Sequence, residues 1–242
     1  NVATRGSIAM KILLTNDDGI DAPGLAALCD AVSGLGEICV VAPEAPHSGC
    51  SHHATTERPL HVRELGPQRF AVDGTPVDCV RLGLSQVFVG ADWVLAGINW
   101  GGNLGVDVLM SGTVAAAREA TLLGIPAIAL SQYCRRPEID WKSATDWART
   151  VVDTLQRREL GTREFWNVNF PDLSVAGQAE GSLAKPPEQD CPLELAPLPI
   201  RFEPAADGWQ YRCDYHGRPN TPGSDVARCF AGEISVSRVS IW

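Results

Sequence analysis

The chain has 242 residues, 45% of them hydrophobic, enough for one large domain with its own core and an appendage. A formal net charge of −9 excludes stable binding to nucleic-acid backbones, and admits a phosphorylated small molecule only where a cation or backbone N–H groups offset its charge. The longest apolar runs are strand-sized, which argues against a membrane-spanning helix.

Residues 1–9, NVATRGSIA, lack an apolar h-region and read as a vector remnant or a disordered start rather than a signal peptide. Residues 11–15 read as a strand. Leu25, Leu28, Cys29 and Val32 then recur at helical spacing, with Asp21 as the expected cap and Pro23 in the first turn. Residues 37–42, EICVVA, form the next strand. GTPVDCVRLGL, residues 74–84, reads as a turn followed by a structural helix. Residues 93–96 make a further strand leading to GIN. Ser111 precedes a helix through Leu123 that Gly124 stops. Residues 125–130 are strand-like despite Pro126. Ser143 and Asp146 form a capping-box pattern at the start of another helix, and 165–170, FWNVNF, closes the series as a strand. Strands alternating with helices predict an α/β fold: a doubly wound, mostly parallel, Rossmann-like sheet with right-handed crossovers, over residues 10–242. From about 184 the pattern changes. Prolines are dense to 204, and 232–241 alternates like a strand, so 184–242 is expected to project as a β-hairpin or extended appendage that makes oligomer contacts. The eight cysteines show no CxxC pair or metal-finger spacing and read as reduced side chains of an intracellular, cytoplasmic protein.

The polar clusters fall where α/β sheets bind ligands, at strand ends. Asp17 and Asp18 sit side by side after the first strand, and each would raise the other's pKa unless a cation lay between them. Ser48, after the second strand, and Asn99, in GIN, are further oxygen donors suited to a hard divalent ion. The plainer reading is a turn with capping aspartates. Ser111, Gly112 and Thr113 open a helix whose free N–H groups suit an anion, or Ser111 or Thr113 is simply its N-cap. A cation and an anion cradle together make a phosphoryl-transfer constellation. GGNLG, residues 101–105, matches neither a dinucleotide fingerprint nor a P-loop, and tight turns explain its glycines. His47, His52 and His53 favour an exposed polar loop over a zinc site.

The stretches KILLTNDDGIDAPG, VVAPEAPHSG, GTPVDCVRLGL, AGINWGGNLGVDVLMSGTVAAAREATLLGIPAIALS, WNVNFP and PGSDVARCFAGEISVS resemble, in this order, the SurE family of 5′/3′-nucleotidases. That resemblance implies a metal-dependent phosphomonoesterase acting on nucleoside 5′- and 3′-monophosphates, with short polyphosphate as a side substrate. It implies one Mg²⁺ or Mn²⁺ per subunit, held by Asp17, Asp18, Ser48 and Asn99. Asp17 and Asp18 are the catalytic pair, and Asn16, Ser111, Gly112 and Thr113 the phosphate contacts, with Asn103 facing the site. A homodimer or homotetramer with exchanged C-terminal segments is expected. The attacking group is left open between water and the Asp17 carboxylate. Glu233 and Arg238 depart from the aromatic residue and the proline common at those positions, and the Ser48 loop is richer in His and Cys. The rival reading is a nucleotide-binding module without turnover.

Overall fold

The computed structural model describes residues 9–135, 138–173 and 184–241. The expected leader, residues 1–9, lies outside them except for its last residue. The elements in chain order are β1 (Lys11–Thr15), α1 (Pro23–Val32), β2 (Glu37–Pro43), β3 (Val62–Gly66), β4 (Arg69–Val72), α2 (Pro76–Leu82), β5 (Trp93–Trp100), α3 (Gly112–Leu122), β6 (Ala127–Gln132), α4 (Trp141–Gln156), β7 (Glu164–Phe170), β8 (Glu188–Asp190), β9 (Arg201–Ala205), β10 (Gly208–Arg212), α5 (Asp225–Phe230) and β11 (Ile234–Ser240). Among the described residues, nine strands form one sheet in the order β3-β4-β2-β1-β5-β6-β7-β11-β8, while β9 and β10 pair only with each other. None of the described helices is long and apolar enough to cross a membrane.

The central strand is legible in its side chains. Ile12 and Leu14 pack on one face with α1 and α4, and Leu13 packs on the other against residues of α2 and α3. A strand apolar on both faces is one covered by helices on both sides, as parallel sheets require. Strands β1, β2, β4, β5, β6 and β7 are parallel, and β3 and β11 run antiparallel to their neighbours β4 and β7. Helix α1 reaches the sheet closely because residue 24 is glycine: a Cβ there would meet the Ile98 carbonyl oxygen at 1.9 Å.

The expectation of uniformly right-handed crossovers fails once. Helix α1 connects β1 to β2 in one direction along the sheet, and α4 connects β6 to β7 in the other, yet both lie on the same face. Those two connections are of opposite hand. Helices α2 and α3 follow the direction of α4 but cover the other face and so agree in hand with α1. By the strong right-handed rule, α4 makes the left-handed crossover.

Local caps also differ. Helix α1 starts from Ala22 without a side-chain cap, and Asp21 pairs instead with Arg69 at 2.7 Å. Helix α4 is capped by Asp140, whose carboxylate accepts from the Lys142 and Ser143 N–H groups and the Ser143 hydroxyl; Asp146 turns to Lys142. The tail divides. β8 and β11 extend the main sheet, and Asp225 at the head of α5 accepts N–H bonds from Gly105 and Glu194 at 2.7 Å each. The β9–β10 hairpin stands apart and exposes Phe202, Trp209 and Tyr211.

Candidate functional site

Strand β1 lies where the strand order reverses, with β2 on one side and β5 on the other. The crevice beyond the carboxyl ends of β1 and β5 is therefore the ligand site expected of such a sheet. β1 delivers Asn16, Asp17 and Asp18 there. β5, which runs further than the four residues read from sequence, carries Asn99 to the same place past a register shift between Ala96 and Asn99.

Asp17 is buried, and its carboxylate accepts the Thr113 hydroxyl at the first turn of α3. Burial pushes the Asp17 carboxyl up; the Thr113 hydroxyl and the backbone N–H groups of Thr113 and Gly112 pull the other way without overcoming it. The N-terminus of α3 thus serves as Asp17's own anion site, through the helix dipole and its first N–H groups. Ser111 is the N-cap, its hydroxyl oxygen accepting from the Val114 N–H at 3.1 Å, so the capping alternative is realised there. Gly112 is needed for close approach: a Cβ would sit 2.9 Å from the Asp17 Oδ2 and 2.8 Å from the Cys50 sulfur. Asp18 is half-buried and accepts the Trp100 backbone N–H at 2.9 Å. Burial raises its carboxyl to about 6, and the Asp17 charge adds to the rise. Asn99 donates to the Gly101 carbonyl at 2.7 Å.

Ser48 is exposed on the loop after β2, and that loop is tied down at several points. The His47 N–H donates to the Asp17 backbone carbonyl at 2.7 Å. Ser51 donates through its N–H to Met110 and through its hydroxyl to Leu109. His52 Nε2 lies 2.7 Å from Glu119, which is buried on α3 and also receives Arg81 Nε at 2.5 Å. Burial pushes the Glu119 carboxyl up, but the His52 and Arg81 hydrogen bonds outweigh it and hold the group below its ordinary value. Arg118 faces His52 Nδ1 at 3.4 Å, so the ring carries its hydrogen on Nε2 and donates to Glu119. His52, read as part of an exposed polar loop, is therefore a latch between that loop and α3, while His53 is exposed. A groove of about 530 Å³ lined by Arg81, Leu84, Ser85, Glu119 and Ile125 lies beside this latch and shares no residue with the carboxylate pair.

Asn103 is buried in a polar network. Its side-chain amide donates to Ser131 at 2.8 Å, its N–H donates to the Asn169 side chain at 2.7 Å, and its carbonyl accepts from Asn167 and Asn169. It anchors the glycine-rich loop after Asn99. Sequence reasoning missed Asn167, Asn169 and Ser131. The available signal was the N-x-N alternation inside an apolar strand, which puts two amides on one buried face.

The residues present fit a hard divalent cation. Asp17, Asp18, Ser48 and Asn99 supply only oxygen-type donors, and no ion pair reaches either aspartate among the described residues. Asn16 donates to the Gly19 carbonyl at 2.8 Å, while its buried Oδ1 has no hydrogen-bond partner. An orphaned acceptor beside two raised carboxylates calls for a cation or the water it carries. Among the described residues, no three His, Cys, Asp or Glu side chains gather into a cluster, so two carboxylates would have to be completed by neutral oxygen donors such as Ser48 and Asn99.

Comparison with known proteins bears on the family and the fold. The family model for Survival protein SurE matches residues 12–186. A Synechocystis sp. protein is 44% identical over 96% of this chain and its own full length. The 5′-nucleotidase SurE of Paramagnetospirillum magneticum is 40% identical over 95% of this chain and 89% of its own. The SurE protein from Aquifex aeolicus superposes with a TM-score of 0.82 at 31% identity, covering 95% of this chain and 93% of that one. On the family match and these full-length likenesses, the chain belongs to the SurE family.

Proposed function

We propose that the protein is a divalent-cation-dependent phosphomonoesterase that hydrolyses nucleoside 5′- and 3′-monophosphates to nucleoside and phosphate, with short polyphosphate as a secondary substrate. The observation that carries this reading is the Asp17–Asp18 pair at the switch point of the sheet, both carboxyls raised by burial and neither met by a basic side chain among the described residues. The 5′-nucleotidase description of the Paramagnetospirillum relative supports the substrate class.

In this reading Asp17, Asp18, Ser48 and Asn99 hold one Mg²⁺ or Mn²⁺. Such an ion neutralises charge on phosphoryl oxygens and makes water a stronger acid. The chain's own residues do the rest. Thr113 and the first turn of α3 favour the charged form of Asp17 and fix its direction. Ser111, Gly112 and Thr113 line the phosphate side through their place around Asp17. Asn16, next to Asp17 in the chain, keeps a buried Oδ1 without a partner, an acceptor suited to a hydroxyl or a water rather than to a phosphate oxygen. Asn103 acts one step back, holding the loop that follows Asn99. The exposed apolar side chains of the β9–β10 hairpin, with Leu195 and Ile200, form a contact surface for a second copy of the chain, in a homodimer or homotetramer.

The test is phosphate release from a panel of nucleoside monophosphates with Mg²⁺, with Mn²⁺ and with chelator, for wild type and Asp17→Asn. Release that disappears in both the chelator and the variant supports the reading. Binding without release under either ion would instead make the protein a nucleotide-binding module.

A further inference from the structure

Trp100 is the last residue of β5 and follows the proposed ligand Asn99 directly. Its backbone is fastened to the site twice, by its N–H bond to Asp18 and by its pairing with Gln132 across the sheet. The ring is nevertheless 52% exposed. A large apolar ring whose backbone is fastened at a strand end and whose face is open to water is pre-ordered for a contact that the described residues do not make. Leu109 and Met110, each 64% exposed, stand immediately before Ser111, and both carbonyls are held by Ser51 of the Ser48 loop. The polar floor of the site thus has apolar side chains next to Asn99 and next to Ser111. Between them, Gly101 and Gly102 carry no side chain that could cover the ring.

Resting on the nucleotidase reading above, we infer that Trp100 is a specificity-determining residue whose ring stacks on the nucleobase of the substrate. A nucleoside monophosphate has one charged end and one flat apolar end. The carboxylate pair and its cation account for the first, and the exposed indole of Trp100 offers a flat apolar face to the second. Stacking on an indole is sequence-tolerant because every base presents a π-face, so the site would accept purine and pyrimidine nucleotides and disfavour phosphate esters without a base. The ring touches the substrate away from the reacting atoms, and Trp100→Ala and Trp100→Phe both keep the backbone N–H that Asp18 uses.

The experiment compares adenosine monophosphate with ribose 5-phosphate, which carries the same kind of ester and no base, for wild type, Trp100→Ala and Trp100→Phe. Trp100→Ala should raise the KM for the nucleotide about 5- to 150-fold with little change in kcat. Trp100→Phe should recover most of the loss, and the KM for ribose 5-phosphate should not move. Equal rises for both esters, or no rise for the nucleotide, would overturn the inference. A fall in oligomer mass in Trp100→Ala with unchanged KM would also overturn it and assign the ring to a subunit contact. If wild type hydrolyses neither ester, the nucleotidase reading fails by itself. Calorimetric titration of the two esters in the presence of Mn²⁺ then decides the stacking question: nucleotide binding weakened by Trp100→Ala, with ribose 5-phosphate unaffected, sustains it, and absence of that difference removes it.

Discussion

Replacing Asp18 by asparagine should make the cation-free protein more stable near neutral pH while removing its activity. Burial raises the Asp18 carboxyl from 3.8 to about 6, against the Trp100 N–H and with some help from the Asp17 charge. That difference corresponds to about 3 kcal/mol at most. Solvent screening at a half-buried carboxylate reduces it to about 1–2 kcal/mol. A group whose pKa rises on folding contributes stability while protonated, below its unfolded value, and the contribution is lost as pH climbs through the folded value. Wild type in chelator therefore loses this increment between 3.8 and about 6. Asparagine stays neutral throughout and can accept the same Trp100 N–H, so the variant keeps it. For a chain of this size, about 1–2 kcal/mol is roughly 2–8 °C in Tm. Thermal melts in chelator should place the variant above wild type near neutral pH, with the gap closing in acid. Added Mn²⁺ should raise the wild-type Tm and leave the variant unmoved. A variant that melts below wild type in chelator at neutral pH would refute the idea that a cation relieves an unfavourable charge at this position.

Other substitutions probe the supports of the site. Gly112→Ala puts a methyl group against the Asp17 Oδ2 and the Cys50 sulfur, so phosphate release should fall by about 100-fold or more, since small misplacements near the reacting atoms have such effects; near-wild-type rates would show that α3 does not set Asp17. Thr113→Val removes the hydroxyl that favours the Asp17 anion, so the acid limb of the pH–rate profile should move to higher pH, and an unmoved limb would show that the hydrogen bond is idle. Glu119→Ala strips Arg81 and His52 of the carboxylate they share; since both partners keep access to water, urea unfolding should show a loss of about 1–2 kcal/mol together with weaker Mn²⁺ affinity from a loosened Ser48 loop. Phe202→Ser with Trp209→Ser should lower the mass seen by light scattering towards that of one protomer, and an unchanged mass would remove the hairpin from the subunit contact.

Which features could be read from sequence depended on how local their causes are. β1 matches its expected span because apolar side chains on both faces leave one way to bury them. Ser111 was readable as a cap because its partner is three residues away. Asp21 was misread because its partner, Arg69, is distant in sequence, and Pro23 at the first turn leaves one N–H fewer to cap. The hairpin β3–β4 went unassigned: its strands are short, and β3 is largely exposed and carries little alternation. The left-handed path through α4 follows from packing across the whole sheet, which no window of sequence contains. In the site, the aspartate pair, Asn99 and Thr113 were readable as strand-end and helix-start polar groups. The His52–Glu119 latch spans 67 residues and the Asn103–Asn169 bond spans 66, and both depend on which elements the fold brings together.

The central claim is that Asp17 and Asp18 lie side by side because a divalent cation binds between them and their neighbours. The most direct measurement is anomalous diffraction from a crystal soaked in Mn²⁺. It should show one manganese peak per subunit in bonding contact with both carboxylates, with Ser48 and Asn99 beside it. A soaked crystal with no peak there, and the two side chains turned to solvent, would contradict the claim.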